Sequence, residues 1–301
     1  KVEPTYRYSK QIFDFLETEI GVPYPWQNYK QIPVKDFLYA GMENTGTTIF
    51  SDAYMIDSIA FMDKNYVNIN AHELAHQWFG NLVTEQNASH HWLQEGFATY
   101  YAYLFEKEVF GDDHFYWKLY ETAMQLKELS EDGKGEALID PKASSLTFYE
   151  KGAWALFMLK EHLGEEAYKK GIEEYLKKYQ FRDVSIPKFI EVMENESSLD
   201  LTEYERDWLS NTEFHFEKAM GSLKQHSPSI ATFFELQREL MTTKGTNEAI
   251  INRFWSQSQS DFLKIAIIEN YHSSLSEAFI KRILSEGSLM VRQVLAVNIP
   301  K

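Results

Sequence analysis

Apolar residues recur at helical spacing early in the chain, at Ile12, Phe13, Phe15 and Leu16, and predict a helix within residues 5–19. Gly21-Val22-Pro23-Tyr24-Pro25-Trp26 breaks that period, because two prolines and a glycine cannot continue a helix. Residues 31–39 and 47–50 read as extended segments. After about Tyr66 the pattern turns helical, with helices predicted over 67–81, 92–110, 114–129, 148–162, 165–179, 186–194 and 202–209. Ser130-Glu131-Asp132-Gly133-Lys134-Gly135 marks a loop. A small β-rich front followed by helices predicts an α+β domain over residues 1–212. Residues 213–301 change character: short amphipathic helices over 230–240, 247–256, 262–271, 277–284 and 290–297 alternate with Ser, Gly and Asn turns. That pattern suits an all-α, solenoid-like stack of helical hairpins. Asn298-Ile299-Pro300-Lys301 reads as an interruption, so the stack is expected to be incomplete.

At 301 residues with 44% hydrophobic content, the chain can bury a sizeable core as one large or two ordinary domains. It lacks an uninterrupted apolar run long enough for a membrane-spanning helix, and no secretory signal opens it. The first residue is Lys1 rather than Met, as expected of a processed product or an excised fragment. A formal charge of −15 argues against nucleic acid as a partner, since phosphate binding wants clustered Lys and Arg. An acidic field suits cationic peptides or amines, although many soluble proteins carry one with no such partner. With no Cys there are no disulfides and no thiolate metal ligands. This matches a soluble protein of the cytoplasm or of the bacterial envelope and does not choose between them.

The candidate chemistry lies in His72-Glu73-Leu74-Ala75-His76, with Glu95 nineteen residues beyond. Residues four apart on a helix lie about 40° apart around its axis, so His72 and His76 share a face and can bind one metal. Glu73 is rotated about 100° from His72, beside the metal rather than on it, where it can act as general base toward a water. A catalytic zinc takes three protein ligands and keeps a fourth place open, and Glu95 is the natural third ligand. An ordinary exposed helix can carry the same letters by chance. Here the motif sits in a proline-free run ending at Gly80, which is placed to bend or end the helix. A second apolar helical stretch opens at Trp92-Leu93-Gln94-Glu95-Gly96-Phe97-Ala98, so two packed helices could share one metal. His90 and His91 are adjacent and diverge on any regular element, which makes them poor ligands together, and His114 reads as a surface residue at a helix start.

His72-Glu73-Leu74-Ala75-His76-Gln77-Trp78-Phe79-Gly80-Asn81 followed by Trp92-Leu93-Gln94-Glu95-Gly96-Phe97-Ala98 resembles the aminopeptidase N family of zinc metallopeptidases, the group that also holds leukotriene hydrolase. Ala40-Gly41-Met42-Glu43-Asn44 resembles the family's Gly-Ala-Met-Glu-Asn signature with its first two residues exchanged. Tyr149-Glu150-Lys151-Gly152-Ala153 resembles its catalytic-tyrosine segment. Three ordered motifs are far more specific than one, and the resemblance covers roughly residues 1–211. It implies a thermolysin-like catalytic domain holding one Zn2+ on His72, His76 and Glu95, with Glu73 as general base. It further implies that Gly41, Met42, Glu43 and Asn44 bind substrate, with Glu43 on the free α-amino group, and that Tyr149 stabilises the tetrahedral intermediate. The implied partners are peptides with a free N-terminus. Without the resemblance, a loop carboxylate such as Glu43 is usually solvated or capping, and a tyrosine such as Tyr149 is usually packing. Met42 and Tyr39 suit either a pocket for the first side chain or plain packing.

The chain also departs from the family pattern. Gln94 stands where Asn is frequent. Ala102 stands where many members carry a glutamate behind the ligands, so another acceptor must orient the metal-bound imidazoles. The family's N-terminal β-rich domain has no counterpart ahead of Lys1, and it is expected to pack on the catalytic domain and complete the cleft. Two other functions fit the same letters: a bifunctional lipid-epoxide hydrolase and aminopeptidase, and a non-catalytic peptide-binding scaffold.

Overall fold

The structure is a computed structural model that describes residues 1–242 and 247–299. Pro300 and Lys301, part of the expected interruption, lie outside the described residues. The described chain is mostly helical with two small sheets. It divides into two compact units, Lys1–Val109 with Thr122–Phe216, and Phe110–Glu121 with the residues from Glu217 onward.

The first unit opens with α1 (Val2–Tyr6) and α2 (Ser9–Ile20), where a single helix was expected. Three strands follow: β1 (Lys30–Val34), β2 (Gly41–Met42) and β3 (Thr47–Ser51). β3 lies between the other two, parallel to β1 and antiparallel to β2. In β3 only Thr48 and Phe50 are buried, the alternation of a sheet with one covered face. β2 is too short to announce itself by alternation, and its pairing with β3 makes it a strand (Gly41 opposite Phe50, Met42 opposite Ile49).

Next come α3 (Val67–Ala75), β4 (Val83–Glu85), α4 (Trp92–Phe110) and α5 (Asp112–Glu131). α3 stops six residues short of the expected 67–81. The Gln77 and Trp78 amides bond three residues back, to Leu74 and Ala75, and the Gly80 amide turns to the Val83 carbonyl (2.9 Å). A π-helical turn, Leu146–Lys151, leads directly into α6 (Gly152–Leu163). Then follow α7 (Glu165–Tyr179), β5 (Arg182–Val184), parallel to β4, α8 (Ile186–Ser197) and α9 (Thr202–Tyr204), which runs into a second π turn, Glu205–Ser210. The core is aromatic: Trp78, Trp92, Trp154, Phe50, Phe79, Phe97 and Phe105 are almost wholly buried.

The second unit holds the first half of α5, with α10 (Phe216–His226) from Glu217, α11 (Pro228–Thr242), α12 (Asn247–Gln257), α13 (Asp261–Tyr271), α14 (Glu277–Glu286) and α15 (Leu289–Asn298). α10 was not expected from the sequence. The other five overlap their predicted spans. Three begin on serine caps: the hydroxyls of Ser260, Ser276 and Ser288 accept from the amides of Leu263, Phe279 and Val291. Among the described residues no helix is long and apolar enough to cross a membrane.

Candidate metal centre and active site

α3 presents His72 on its last turn, and His76 is its C-terminal cap residue. Their Nε2 atoms face each other at 3.0 Å, and each lies 3.3 Å from Glu95 Oε2 in the first turn of α4. Ligand atoms about 2.0–2.1 Å from a tetrahedral zinc stand about 3.3 Å apart, so the trio has the right size for that ion. The lone pairs match as well. The Phe79 carbonyl can only accept, so His76 Nδ1, 2.9 Å away, carries the ring proton and leaves Nε2 free to ligate. Glu95 Oε2 is buried without a hydrogen-bond donor. A cation held by all three atoms would satisfy it. Among the described residues these three form a cluster able to hold a metal, with donor atoms all within 4.8 Å of one another.

Packing that the local motif does not encode brings Glu95 there. Phe79, three residues past His76, stacks on Phe97, two past Glu95, with ring centroids 4.3 Å apart and planes 6° from parallel. Such a pair contributes about 0.5–1.5 kcal/mol beyond its buried area. On the other side, α4 meets the start of α6 glycine to glycine. A Cβ on Gly96 would fall 2.9 Å from the Gly152 Cα, so neither position admits a larger residue without moving a helix.

Burial opposes ionisation of Glu95, yet the adjoining imidazoles of His72 and His76 hold its carboxyl well below the usual carboxylate range. Burial also lowers the affinity of His72 for a proton, which favours the neutral, ligating imidazole. The Glu73 side chain reaches Gly41 of β2. Burial pushes its carboxyl up to about 8, and its Oε2 has no hydrogen-bond partner. It lies directly against Gly41, where an added Cβ would stand 2.5 Å from the Glu73 carboxyl carbon. The exchanged Ala40-Gly41 order therefore has a local consequence, because glycine at 41 makes room for Glu73 in this position.

Met42 is half-buried and Asn44 exposed, and the Asn44 carbonyl accepts from the Thr47 amide (2.7 Å) to close the turn between β2 and β3. The turn is tied to the metal-binding segment. Asn81 Nδ2 (2.6 Å) and Gln77 Nε2 (3.3 Å) donate to the Glu43 carbonyl, and Gln77 Oε1 accepts from the Gly46 amide (2.8 Å). Glu43 is near enough for its charge to act on His72, His76 and Glu73. Tyr39 is 57% exposed.

Tyr149 sits in the π turn, with its ring parallel to that of His72 at 5.5 Å between centroids. Burial, and then the neighbouring Glu95 charge, push its ionisation well up, so the phenol keeps its proton and remains a donor. Three residues next to the motifs gained no role from sequence reasoning. Gln77 and Asn81 hold the Glu43 turn, and His91 lies between two carboxylates, with Nδ1 2.9 Å from Glu85 and Nε2 3.6 Å from Glu95 Oε1. A His four residues before a ligand, just ahead of the helix that carries it, is the only sequence signal that could have pointed to His91. His90 points elsewhere and accepts from the Ile186 amide.

Comparison with known proteins gives a consistent set of matches. The sequence model described as the peptidase family M1 domain matches residues 5–208. Aminopeptidase M1-D of Oryza sativa subsp. japonica is 33% identical over 197 residues, 61% of this chain and 22% of that protein. Aminopeptidase N of Lactobacillus delbrueckii subsp. lactis is 29% identical over 216 residues, covering 67% and 26%. Human endoplasmic reticulum aminopeptidase 2 is 34% identical over 188 residues, covering 58% and 20%. The chain thus spans about a quarter of the length of these relatives. Among solved structures, an M1 zinc metallopeptidase mutant from Deinococcus radiodurans, bound to a Tyr-Ser-Ala substrate, shares the fold. Its TM-score is 0.55 at 24% identity, covering 66% of this chain and 43% of that one.

Proposed function

The chain belongs to peptidase family M1, and we propose that it carries the catalytic site of a zinc-dependent aminopeptidase acting on peptides with a free N-terminus. Residues 1–212 are read as a thermolysin-like catalytic domain, and 213–301 as part of a C-terminal domain of stacked helical hairpins. The observation that carries the reading is the convergence of His72 Nε2, His76 Nε2 and Glu95 Oε2 at 3.0–3.3 Å, with Glu95 Oε2 buried and lacking a donor.

His72, His76 and Glu95 are the residues that would hold zinc, which when bound polarises a scissile carbonyl and acidifies water. Glu73 takes the proton from the attacking water and delivers it to the departing amine; its burial supports this role by raising its affinity for a proton. Glu43 pairs with the substrate's α-ammonium, a charge that only the first residue of a peptide carries. Gly41, Met42 and Asn44 line the approach to it. Tyr149 donates to the oxygen on which negative charge develops, and its retained proton suits it to that task.

The test uses the full-length protein with aminoacyl-arylamide substrates, with and without a chelator. Turnover is expected to stop on chelation, return with zinc, and be lost in Glu73→Gln. Chelator-insensitive turnover, or undiminished turnover in Glu73→Gln, overturns the reading. Equal cleavage of amino-blocked and free substrates would remove Glu43 from its role and leave an endopeptidase.

A further inference from the structure

The chain contains a lysine buried to 2% exposure, Lys151, two residues past Tyr149 at the end of the π turn. Its ammonium is bonded to main chain: Nζ donates to the carbonyls of Glu136 (2.6 Å), Asn211 (2.7 Å) and Thr212 (3.4 Å). The other end of the same turn is also held by Glu136. Glu136 Oε2 accepts from the Ser144 amide (2.8 Å), the Ser144 hydroxyl (2.6 Å) and the fully buried Thr147 hydroxyl (2.6 Å). One residue therefore grips both ends of the turn, with its carboxylate at the start and its carbonyl at the finish.

The turn needs holding. A π turn carries one more residue than the α-helix it interrupts, and such turns are uncommon and frequently found at functional sites. If residues 146–151 relaxed to α geometry on a fixed α6, the residues ahead of the change would rotate by about 100°, one residue's arc. Tyr149 would then leave its stacked position on His72. Packing fixes α6 where Gly152 meets Gly96, so the rotation would fall on Tyr149 and not on the helix behind it.

We propose that Lys151 is a positioning residue that locks the π turn from its C-terminal end, with Glu136 and Thr147 locking the other, so that the Tyr149 phenol faces the metal centre. This rests on the reading of Tyr149 as the oxyanion donor. A bystander lysine that only stabilises the fold would lower the melting temperature and leave the chemistry of the folded fraction intact. A positioning lysine would lower kcat in protein that is fully folded and metal-loaded.

The experiment compares Tyr149→Phe, Lys151→Met and their double variant in the full-length protein, with zinc content and thermal melting measured on each. Lys151→Met is expected to lower kcat about 10- to 100-fold with KM nearly unchanged, since misplacing one donor forfeits most of its effect. In the double variant the loss is expected to match Tyr149→Phe alone, because a displaced donor has nothing left to lose. If Lys151→Met does not fold, Thr147→Val decides: it frees the other end isosterically and is expected to act in the same direction, again with no further loss beside Tyr149→Phe. An unchanged kcat in the folded lysine variant (or in Thr147→Val when that variant decides), a loss confined to KM, or a loss that adds fully to that of Tyr149→Phe overturns the proposal. If Tyr149→Phe itself leaves kcat intact, the oxyanion role fails and this inference falls with it. If Tyr149→Phe is impaired and the lysine variant is not, only this inference falls.

Discussion

Helix α4 in the first unit and helix α14 in the second use opposite physics. α4 buries thirteen of its nineteen residues, on all sides, and Glu95, Thr99 and Glu106 are among them. α14 buries only Phe279 and Ile283 and turns its polar residues to water. In α14 each charge is solvated, so the helix rests on a narrow apolar stripe and the Ser276 cap. In α4 the buried Glu95, Thr99 and Glu106 cannot rely on solvent, and each must find a partner inside or be left at a penalty of about 1–3 kcal/mol or more. Burial on this scale concentrates chemistry: His72, His76 and Glu95 meet in a site that solvent hardly reaches. The contrast shows why a largely buried helix with carboxylates is a better place to look for a site than an amphipathic one.

Substitutions can break this comparison at graded cost. The largest effect is expected from Glu73→Gln, which keeps the shape and removes the proposed base. kcat should fall by about 10²–10⁴ while zinc content, read by elemental analysis, stays at wild-type level. Zinc itself comes next. At about 1,000 times its dissociation constant it should stabilise the first unit by about 4 kcal/mol, seen as a raised melting temperature that a chelator reverses. An unchanged melting temperature would mean that His72, His76 and Glu95 do not bind the ion. Gly96→Ala should follow. Its new methyl meets Gly152 backbone, and overpacking of this kind typically costs about 1–3 kcal/mol, measurable by urea unfolding together with weaker zinc binding. The smallest effect sharpens the other side. Ser276→Ala removes the α14 cap at about 1 kcal/mol, with zinc binding and turnover unchanged.

Amphipathic helices were the most legible part of the fold. Five of the six helices that make up the second unit from Glu217 onward overlap their predicted spans, because a stripe of Ile, Leu and Phe on a polar background is a periodic signal. The spans 92–110 and 165–179 also match α4 and α7 end to end. The misses share a cause. The end of α3 at Ala75 is set by Gly80 bonding to Val83, and β2 exists only through its pairing with β3. The π turn at 146–151 has no periodic signature, because its extra residue is accommodated by Glu136 and Lys151. Of the outer groups around the site, the Phe79 carbonyl behind His76 belongs to the backbone and has no side-chain signature at all.

The sequence alone determined the local part of the centre. His72, Glu73 and His76 are close in the chain, and about 100° of helical rotation per residue fixes which of them share a face wherever the helix sits. The sequence also named Glu95 as the third ligand, and Glu43 and Tyr149 by resemblance, but not where they stand. Tertiary structure decided that. The Phe79–Phe97 stack and the Gly96–Gly152 contact carry Glu95 to the histidines, Gln77 and Asn81 fasten the Glu43 turn, and the clamped π turn aims Tyr149. The division follows from the reach of the forces. Backbone geometry repeats over a few residues and can be read as a period, whereas close packing depends on how distant surfaces fit and has no period to read.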